Sequence, residues 1–193
     1  MMNVDPLLRR YRTRITLLVP VILLAVAWAF GPRTLSFPWL VSGLVCVAAG
    51  MALRLWAAGY LVKDTALTTW GPFAHLRNPL YLGTSLLGIG YAALTGRWAS
   101  FLLVALIIAA VYVPTVLAEE TGLTARYGEP YEVYRRAVPR WLPRLHPPRQ
   151  PAPAPFNWTL VKHHREHRHL LLHLVILLAF AAIYLLKGSF TPH

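Results

Sequence analysis

The sequence predicts an all-α protein that crosses a membrane several times, and its composition and hydropathy carry that prediction. Hydrophobic residues make up 56% of the 193 residues and charged residues only 13%, while the mean hydropathy is +0.48. A soluble domain is about a quarter charged, so this chain has too few charges to cover a globular surface. Apolar runs that could form about five transmembrane helices lie at residues 13–30, 39–60, 79–95, 98–118 and 170–186.

The first apolar run has two interpretations. A cluster of arginines within residues 9–14 precedes it, and Ala27-Trp28-Ala29 resembles the cleavage site of a signal peptide. Further apolar runs follow, however, as in a multi-pass protein. We therefore expect residues 13–30 to be the first transmembrane helix, bent at Pro20.

The basic residues lie mostly on one side of the predicted spans. Of the 19 lysines and arginines, only Arg33, Arg97 and Lys187 fall on the side opposite the N-terminus, and the other 16 share the N-terminal side with the loop at 63–78 and the segment 119–169. This bias places the N-terminus in the cytoplasm, and we expect a bacterial inner membrane. The net charge of +12 is distributed between apolar runs, which predicts membrane lipids rather than nucleic acid as partners.

The polar stretch 71–83 ends in a helix start. Asn78 is suited to the N-cap position and Pro79 to the first helical position. Arg77, Tyr81 and Gly83 then lie within about two turns of one another. A helix N-terminus beside an arginine favours a carboxylate or phosphate, so the stretch predicts an anion-binding corner. The alternative is a capped helix whose arginine reaches the lipid headgroups.

A second polar segment begins after the fourth apolar run. Pro114 is expected to kink that helix and to free the carbonyl four residues earlier. Glu119 and Glu120 follow, and carboxylates at the end of a membrane helix must be solvated or paired. Nearby arginines available for pairing are Arg126, Arg135 and Arg136.

Both polar segments are predicted on the same side of the membrane. A cation and N–H donors on one wall, with carboxylates on the other, would fit a zwitterionic amino-acid moiety, or a nucleoside whose ribose hydroxyls bind the carboxylates. Aromatic side chains are available to cover such a pocket, namely Tyr127, Tyr131, Tyr134 and Trp141.

These motifs resemble a known family of integral membrane enzymes, the isoprenylcysteine carboxyl methyltransferases and phospholipid N-methyltransferases. Residues 77–83, Arg-Asn-Pro-Leu-Tyr-Leu-Gly, are similar to the family's Arg-His-Pro-x-Tyr-x-Gly, and residues 119–143 resemble its second motif. The resemblance implies S-adenosylmethionine as the cofactor, bound at the cytoplasmic face, with a lipophilic acceptor entering from the bilayer. The cofactor-binding residues that it implies are Arg77, Asn78, Pro79, Tyr81, Leu82, Gly83, Glu119, Glu120, Tyr131 and Tyr134.

The acceptor atom stays open at this point. Asn78 stands where the carboxyl methyltransferases usually have histidine, and an asparagine at this position is closer to the phospholipid N-methyltransferases. The segment Val138-Pro139-Arg140, in contrast, resembles the carboxyl methyltransferases. An amine acceptor must lose a proton before attack, which His75 or a glutamate such as Glu120 could accept. A carboxylate acceptor needs no base, and Arg77 could then orient it.

The C-terminal part of the chain lies outside the resemblance. We expect a methyltransferase-like membrane domain at 1–149, an extended linker rich in Pro, His and Arg at 150–169, and a last transmembrane helix within 170–193. Histidines spaced four residues apart in and after 163–169 can bind metal on a helix, but without an evident third ligand we interpret the run as a contact with anionic headgroups and expect no metal site.

Arg54, inside the second span, is either functional or snorkels to the interface. Cys46 can form no internal disulfide.

Two alternative functions remain: an NADPH-dependent membrane reductase resembling the sterol reductases, which have a related motif pattern, and a non-enzymatic membrane scaffold. The oligomeric state is left open.

Overall fold

The computed structural model describes residues 6–31, 35–62, 66–147 and 155–189, and these residues form helices and loops without a β-strand. The α-helices are α1 (Pro6–Phe30), α2 (Phe37–Ala58), α3 (Pro79–Leu94), α4 (Trp98–Ile107), α5 (Val113–Tyr127), α6 (Glu129–Ala137), α7 (Trp158–His163) and α8 (Glu166–Ser189). A short 3₁₀ helix covers Gly71–Ala74, and a π-helical turn at Ile108–Tyr112 joins α4 to α5. The prediction of an all-α fold is confirmed.

Three helical segments are long and apolar enough to cross a bilayer: Phe37–Ala58, Trp98–Tyr127 and Glu166–Lys187. The apolar parts of the other two predicted spans are shorter, at Leu18–Phe30 and Pro79–Leu94. At 1.5 Å per residue the 16 residues of α3 extend about 24 Å, less than the ~30 Å hydrocarbon core. The multi-pass membrane class is therefore confirmed, while five complete crossings stay a prediction.

One end of the bundle is held by basic side chains at helix ends. Lys187 Nζ donates to the carbonyl oxygens of Ala27 (2.9 Å) and Gly31 (2.8 Å), and Arg97 Nε donates to that of Phe30. The C-terminal half of α8, the end of α1 and the α3–α4 turn thus meet at one end. This is the grouping that the predicted topology requires.

Helices α2 and α3 approach closely because glycines face glycines. A Cβ atom at Gly50 would lie 2.7 Å from the carbonyl oxygen of Gly83, and one at Gly90 would lie 2.8 Å from that of Gly43. The two contacts repeat every seven residues, so one small-residue stripe on each helix brings the backbones together. Gly83, predicted as a cofactor-binding residue, lies in this packing seam.

The π-helical turn lies where the sequence predicts a proline kink. Pro114 is the second residue of α5, directly after the turn. Thr115 Oγ1 donates to the carbonyl oxygen of Val111 (2.6 Å), so this side chain satisfies a backbone group next to the proline. A wider turn is one way to place a residue without an N–H group inside a long helix.

The C-terminal helix packs into the same core as the preceding spans. Ile176 and Phe180 of α8 are buried with Leu23 of α1, Val47 of α2 and Tyr91 of α3. The segment predicted as an extended linker contains α7, whose N-cap residue Asn157 accepts a hydrogen bond from the Thr159 N–H. The division into domains stays a prediction.

Candidate functional site

A cavity of about 1210 Å³ extends from the loops into the helical bundle. Its polar end is lined by Arg77, Asn78, Glu119 and Tyr131, and its apolar wall comes from residues of α3, α4 and the π-helical turn. Lining residues of these elements include Leu80, Leu87, Gly88, Val104, Ile107 and Ile108. Ligand sites usually combine an apolar wall with a few convergent polar groups, as here.

Glu120 is the centre of the polar network behind this end of the cavity. Its side chain is 6% exposed. One carboxylate oxygen accepts hydrogen bonds from Arg140 Nε (3.0 Å) and Nη2 (2.8 Å), and the other accepts one from Asn78 Nδ2 (3.1 Å). Arg77 Nη1 lies 3.3 Å from the first oxygen. One carboxylate therefore joins the start of α3, helix α5 and the loop after α6.

Arg77 is held in place by a backbone hydrogen bond, and some of its side-chain N–H groups have no partner among the described residues. Its N–H donates to the Pro139 carbonyl oxygen (2.9 Å), and its side chain is 9% exposed. Among the described residues, Arg77 Nε and Nη1 have no hydrogen-bond partner, although Nη1 is close to Glu120. Buried donors without a partner are rare in folded proteins and indicate a place for a ligand or water.

The Tyr131 hydroxyl has the same property. It is buried beside the Arg77 side chain, but among the described residues no group meets it in full hydrogen-bond geometry. Burial, reinforced by the Glu120 charge, raises the pKa of Tyr131 to about 12, although Arg77 acts in the opposite direction. Tyr131 therefore keeps its proton at neutral pH and can donate a hydrogen bond.

Tyr134 plays a structural part beside it. Its hydroxyl donates to the Phe73 carbonyl oxygen (2.8 Å), which ties α6 to the 3₁₀ helix. Burial raises the pKa of Tyr134 well above its ordinary value. Tyr131, Tyr134 and Val138 form a small core of their own, so α6 supports the polar end of the cavity by packing.

Asn78 occupies the predicted N-cap position, but its side chain does something else. It makes no capping hydrogen bond with the first turn of α3; its amide instead donates to Glu120. The anion nearest to the start of α3 in this network is thus one of the protein's own carboxylates.

The predicted site residues fall into three groups. Those that line the cavity are Arg77, Asn78, Pro79, Tyr81, Glu119, Tyr131 and Tyr134. Glu120 lies behind them. His75, Leu82 and Gly83 are not among the lining residues, and His75 Nδ1 is 2.8 Å from the Arg144 carbonyl oxygen.

One detail of the predicted pocket is wrong. Arg77 and Glu120 do not stand on opposite walls, because they form an ion pair with each other. Glu120 also pairs with Arg140, which is not one of the three arginines that the sequence suggested for the two glutamates. Arg140 was missing from the predicted site residues, although it lies in the Val138-Pro139-Arg140 motif that carries part of the resemblance.

A second polar cluster lines the cavity deeper in the bundle, and α8 contributes half of it. Arg54 Nη2 and Nε donate to the two carboxylate oxygens of Glu166 (2.7 and 3.3 Å), and Arg54 Nη1 donates to Thr84 Oγ1 (2.7 Å). The Tyr91 hydroxyl and His173 Nδ1 are 2.7 Å apart. Arg54 is thus paired inside the protein. It does not extend to the membrane interface, as the snorkelling alternative requires. We found no group of three metal-ligating side chains within the described parts of the chain.

Comparison with known proteins gives one family and several relatives. The profile of the family described as "Phospholipid methyltransferase" matches residues 38–130. Protein-S-isoprenylcysteine O-methyltransferase of Schizosaccharomyces pombe is 33% identical over 99 residues, which cover 51% of this chain and 42% of that protein. The chain therefore spans less than half the length of this relative.

Two other relatives have different names. Nickel-cobalt-cadmium resistance protein NccN of Alcaligenes xylosoxydans xylosoxydans is 31% identical over 147 residues, covering 73% of this chain and 68% of that protein. Steroid 5-alpha-reductase DET2 of Solanum lycopersicum is 30% identical over 102 residues, covering 50% of this chain and 39% of that protein. No solved structure matches.

Proposed function

Because the chain belongs to the isoprenylcysteine carboxyl methyltransferase and phospholipid methyltransferase family of membrane proteins, we propose that it transfers a methyl group from S-adenosylmethionine to the polar head of a lipophilic acceptor. The acceptor would be a phospholipid amine or a prenylcysteine-like carboxylate. The cavity supports this proposal because its polar and apolar parts are continuous.

The observation that carries the proposal is the set of unsatisfied donors at the polar end. Arg77 Nε and Nη1 and the Tyr131 hydroxyl are buried without hydrogen-bond partners among the described residues. They fit the carboxylate of an amino-acid moiety, which accepts several hydrogen bonds at once. Glu119, which also lines the cavity, is suited to an ammonium or hydroxyl group. We therefore assign S-adenosylmethionine to this end, with Arg77 and Tyr131 as its main contacts.

The reaction requires the protein to position the reactants and does not require a covalent intermediate with the protein. S-adenosylmethionine, when bound, supplies an electrophilic methyl group on a sulfonium. Arg77 and Tyr131 hold a ligand at the polar end, and Glu120 keeps the Arg77 guanidinium in place through their ion pair. The apolar wall beside the reacting groups would keep water away from them. Orientation and exclusion of water can together account for a large part of a rate enhancement.

The acceptor is expected to enter from the bilayer. The apolar wall formed by residues such as Leu87, Val104 and Ile108 fits an acyl or prenyl tail, and burial of that tail contributes about 0.8 kcal/mol per CH₂ group. Activity should therefore need a long apolar chain on the acceptor. We place the polar end of the cavity in the cytoplasm, where S-adenosylmethionine is available, in line with the charge bias.

Ligand binding by the purified protein tests the cofactor. Titration calorimetry in detergent should show binding of S-adenosylhomocysteine and none of NADPH. Binding of NADPH alone would favour the reductase alternative, for which the match to the tomato steroid reductase is the supporting observation. If neither ligand binds, and neither raises the melting temperature, the scaffold alternative gains. A ligand present at 100 times its Kd adds about 2.7 kcal/mol to the free energy of unfolding.

A further inference from the structure

The face of helix α8 that packs against the bundle carries both polar and apolar residues. Glu166, His169, His173, Ile176 and Phe180 follow one another at spacings of three and four residues, which places them on one face of the helix. Ile176 and Phe180 are buried in the apolar core. The first two turns of the same face are polar and line the cavity. Packing alone would favour apolar residues along the whole stripe.

Two of these polar side chains are already engaged. The Glu166 carboxylate holds the Arg54 guanidinium, and His173 Nδ1 is hydrogen-bonded to the Tyr91 hydroxyl. These contacts fix α8 against α2 and α3. They also neutralise Arg54, so the cluster presents little net charge to the cavity.

His169 is the remaining group. It lines the cavity beside Arg54 and Glu166, and its ring makes no hydrogen bond to another residue in the part of the chain that the structure describes. A partly exposed imidazole in a cavity has a ring nitrogen available to a ligand. Two predicted catalytic residues that could accept a proton are less suitable, since His75 does not line the cavity and the Glu120 carboxylate is paired with Arg77 and Arg140.

The cluster of Arg54, Glu166, His169 and His173 lies deeper in the bundle than the polar end of the cavity. Thr84, which fixes Arg54, is six residues after Asn78 on α3, or about 9 Å further along the helix axis at 1.5 Å per residue. An acceptor head lying at this depth would have the cofactor end on one side and the apolar wall on the other.

We propose that His169 is a catalytic residue that accepts a proton from an amine acceptor, so that α8 completes the acceptor site. This inference rests on the proposed methyl transfer and narrows its acceptor to an amine. The ammonium head gives one proton to the imidazole, its nitrogen lone pair forms the bond to the methyl carbon, and the sulfonium–carbon bond breaks with its electrons remaining on sulfur. The products are a methylated ammonium, the neutral thioether and an imidazolium that releases the proton to solvent. Residues 166–173 lie outside the family match at 38–130, so this role belongs to the C-terminal helix of this chain.

The test uses the full-length protein, methyl-labelled S-adenosylmethionine and vesicles containing phosphatidylethanolamine. His169→Gln keeps a polar side chain of similar size but cannot take up the proton, and should lower kcat about 100-fold or more. His169→Ala should lower it to the same extent. His167→Gln is the matched control, because His167 is exposed on the same helix, and should transfer methyl groups at the wild-type rate. All variants should bind S-adenosylhomocysteine with wild-type affinity.

The outcomes separate this inference from the function on which it rests. If the wild type does not bind S-adenosylhomocysteine, the proposed function fails. If the wild type methylates phosphatidylethanolamine and His169→Gln does so at a similar rate, the inference is wrong and methyl transfer stands. Label found only in base-labile methyl esters would also overturn the inference, because a carboxylate acceptor needs no proton acceptor.

Discussion

Glu120 shows how one buried carboxylate can hold together several residues behind a cavity. It lies behind the cavity lining and joins Arg77, Asn78 and Arg140. Its hydrogen bond raises the pKa of Arg140, more than burial lowers it. Arg77, unlike Arg140, lines the cavity, and its side chain has N–H groups without a hydrogen-bond partner among the described residues. Two residues that share one partner are therefore expected to have different roles.

Substitution of the two arginines tests that difference. Arg77→Gln should weaken the binding of S-adenosylhomocysteine by about 1–3 kcal/mol, the range for a charge-assisted hydrogen bond. Arg140→Gln removes the other partner of Glu120 and should lower the melting temperature with a smaller change in affinity. Calorimetry and thermal unfolding in the same detergent measure both effects. Equal losses of affinity in the two variants, or none in either, would contradict the assignment of Arg77 as the ligand contact.

Glu120→Gln should affect both quantities, because it leaves two guanidinium groups without their shared counter-charge. Removing one partner of a buried ion pair typically costs about 3–5 kcal/mol. Arg140 is 33% exposed in its side chain, so solvent reduces this cost and the lower end applies. A melting temperature equal to that of the wild type would show that the ion pairs contribute little.

At the level of the helices, the glycine seam between α2 and α3 fixes the wall that carries Arg54 and Thr84. Gly50→Ala would place a Cβ atom 2.7 Å from the Gly83 carbonyl oxygen, and backbone cannot move aside as a flexible side chain does. The variant should unfold at a lower temperature, corresponding to about 1–3 kcal/mol. Ala48→Val is the control, since Ala48 is exposed on the same helix. An unchanged melting temperature for Gly50→Ala would contradict the close approach of the two helices.

The sequence was informative about the apolar helices and the starts of helices, but less so about long-range contacts. The Asn78-Pro79 pair predicted where α3 begins, because that signal is local. The pairs Glu120–Arg140 and Arg54–Glu166 were not predicted, since their members lie 20 and 112 residues apart along the chain. The π-helical turn before Pro114 was also missed, because a proline indicates a disrupted hydrogen bond but not the way in which the helix adapts.

The histidines show the same limit. The sequence grouped them as a headgroup contact, whereas the structure separates exposed His167 from His169 and His173, which line the cavity. The spacing of His169 and His173 correctly indicates one helix face. Which face meets the cavity depends on how α8 packs against α2 and α3, and no local pattern contains that information.

For the whole molecule, cysteine labelling in intact bacterial cells tests the orientation. In a Cys46→Ala background, Ala137→Cys lies at the end of α6 and Ala99→Cys lies at the start of α4, near opposite ends of the bundle; both residues are exposed. The charge bias predicts that an impermeant maleimide labels residue 99 and labels residue 137 only after lysis. Labelling of residue 137 in intact cells would place the polar end of the cavity outside the cytoplasm.

The most direct test of the proposed function is incubation of the purified protein with methyl-labelled S-adenosylmethionine and a total lipid extract from bacterial membranes. We expect label in the lipid fraction, in a form that base treatment does not release as volatile methanol, and clearly less label with Arg77→Gln at limiting cofactor. N-methyl groups survive base, whereas methyl esters do not. Release of the label by base would still support methyl transfer, but to a carboxylate. Label that enters only water-soluble molecules, or no product at all from a protein that remains folded, would contradict methyl transfer to a lipophilic acceptor.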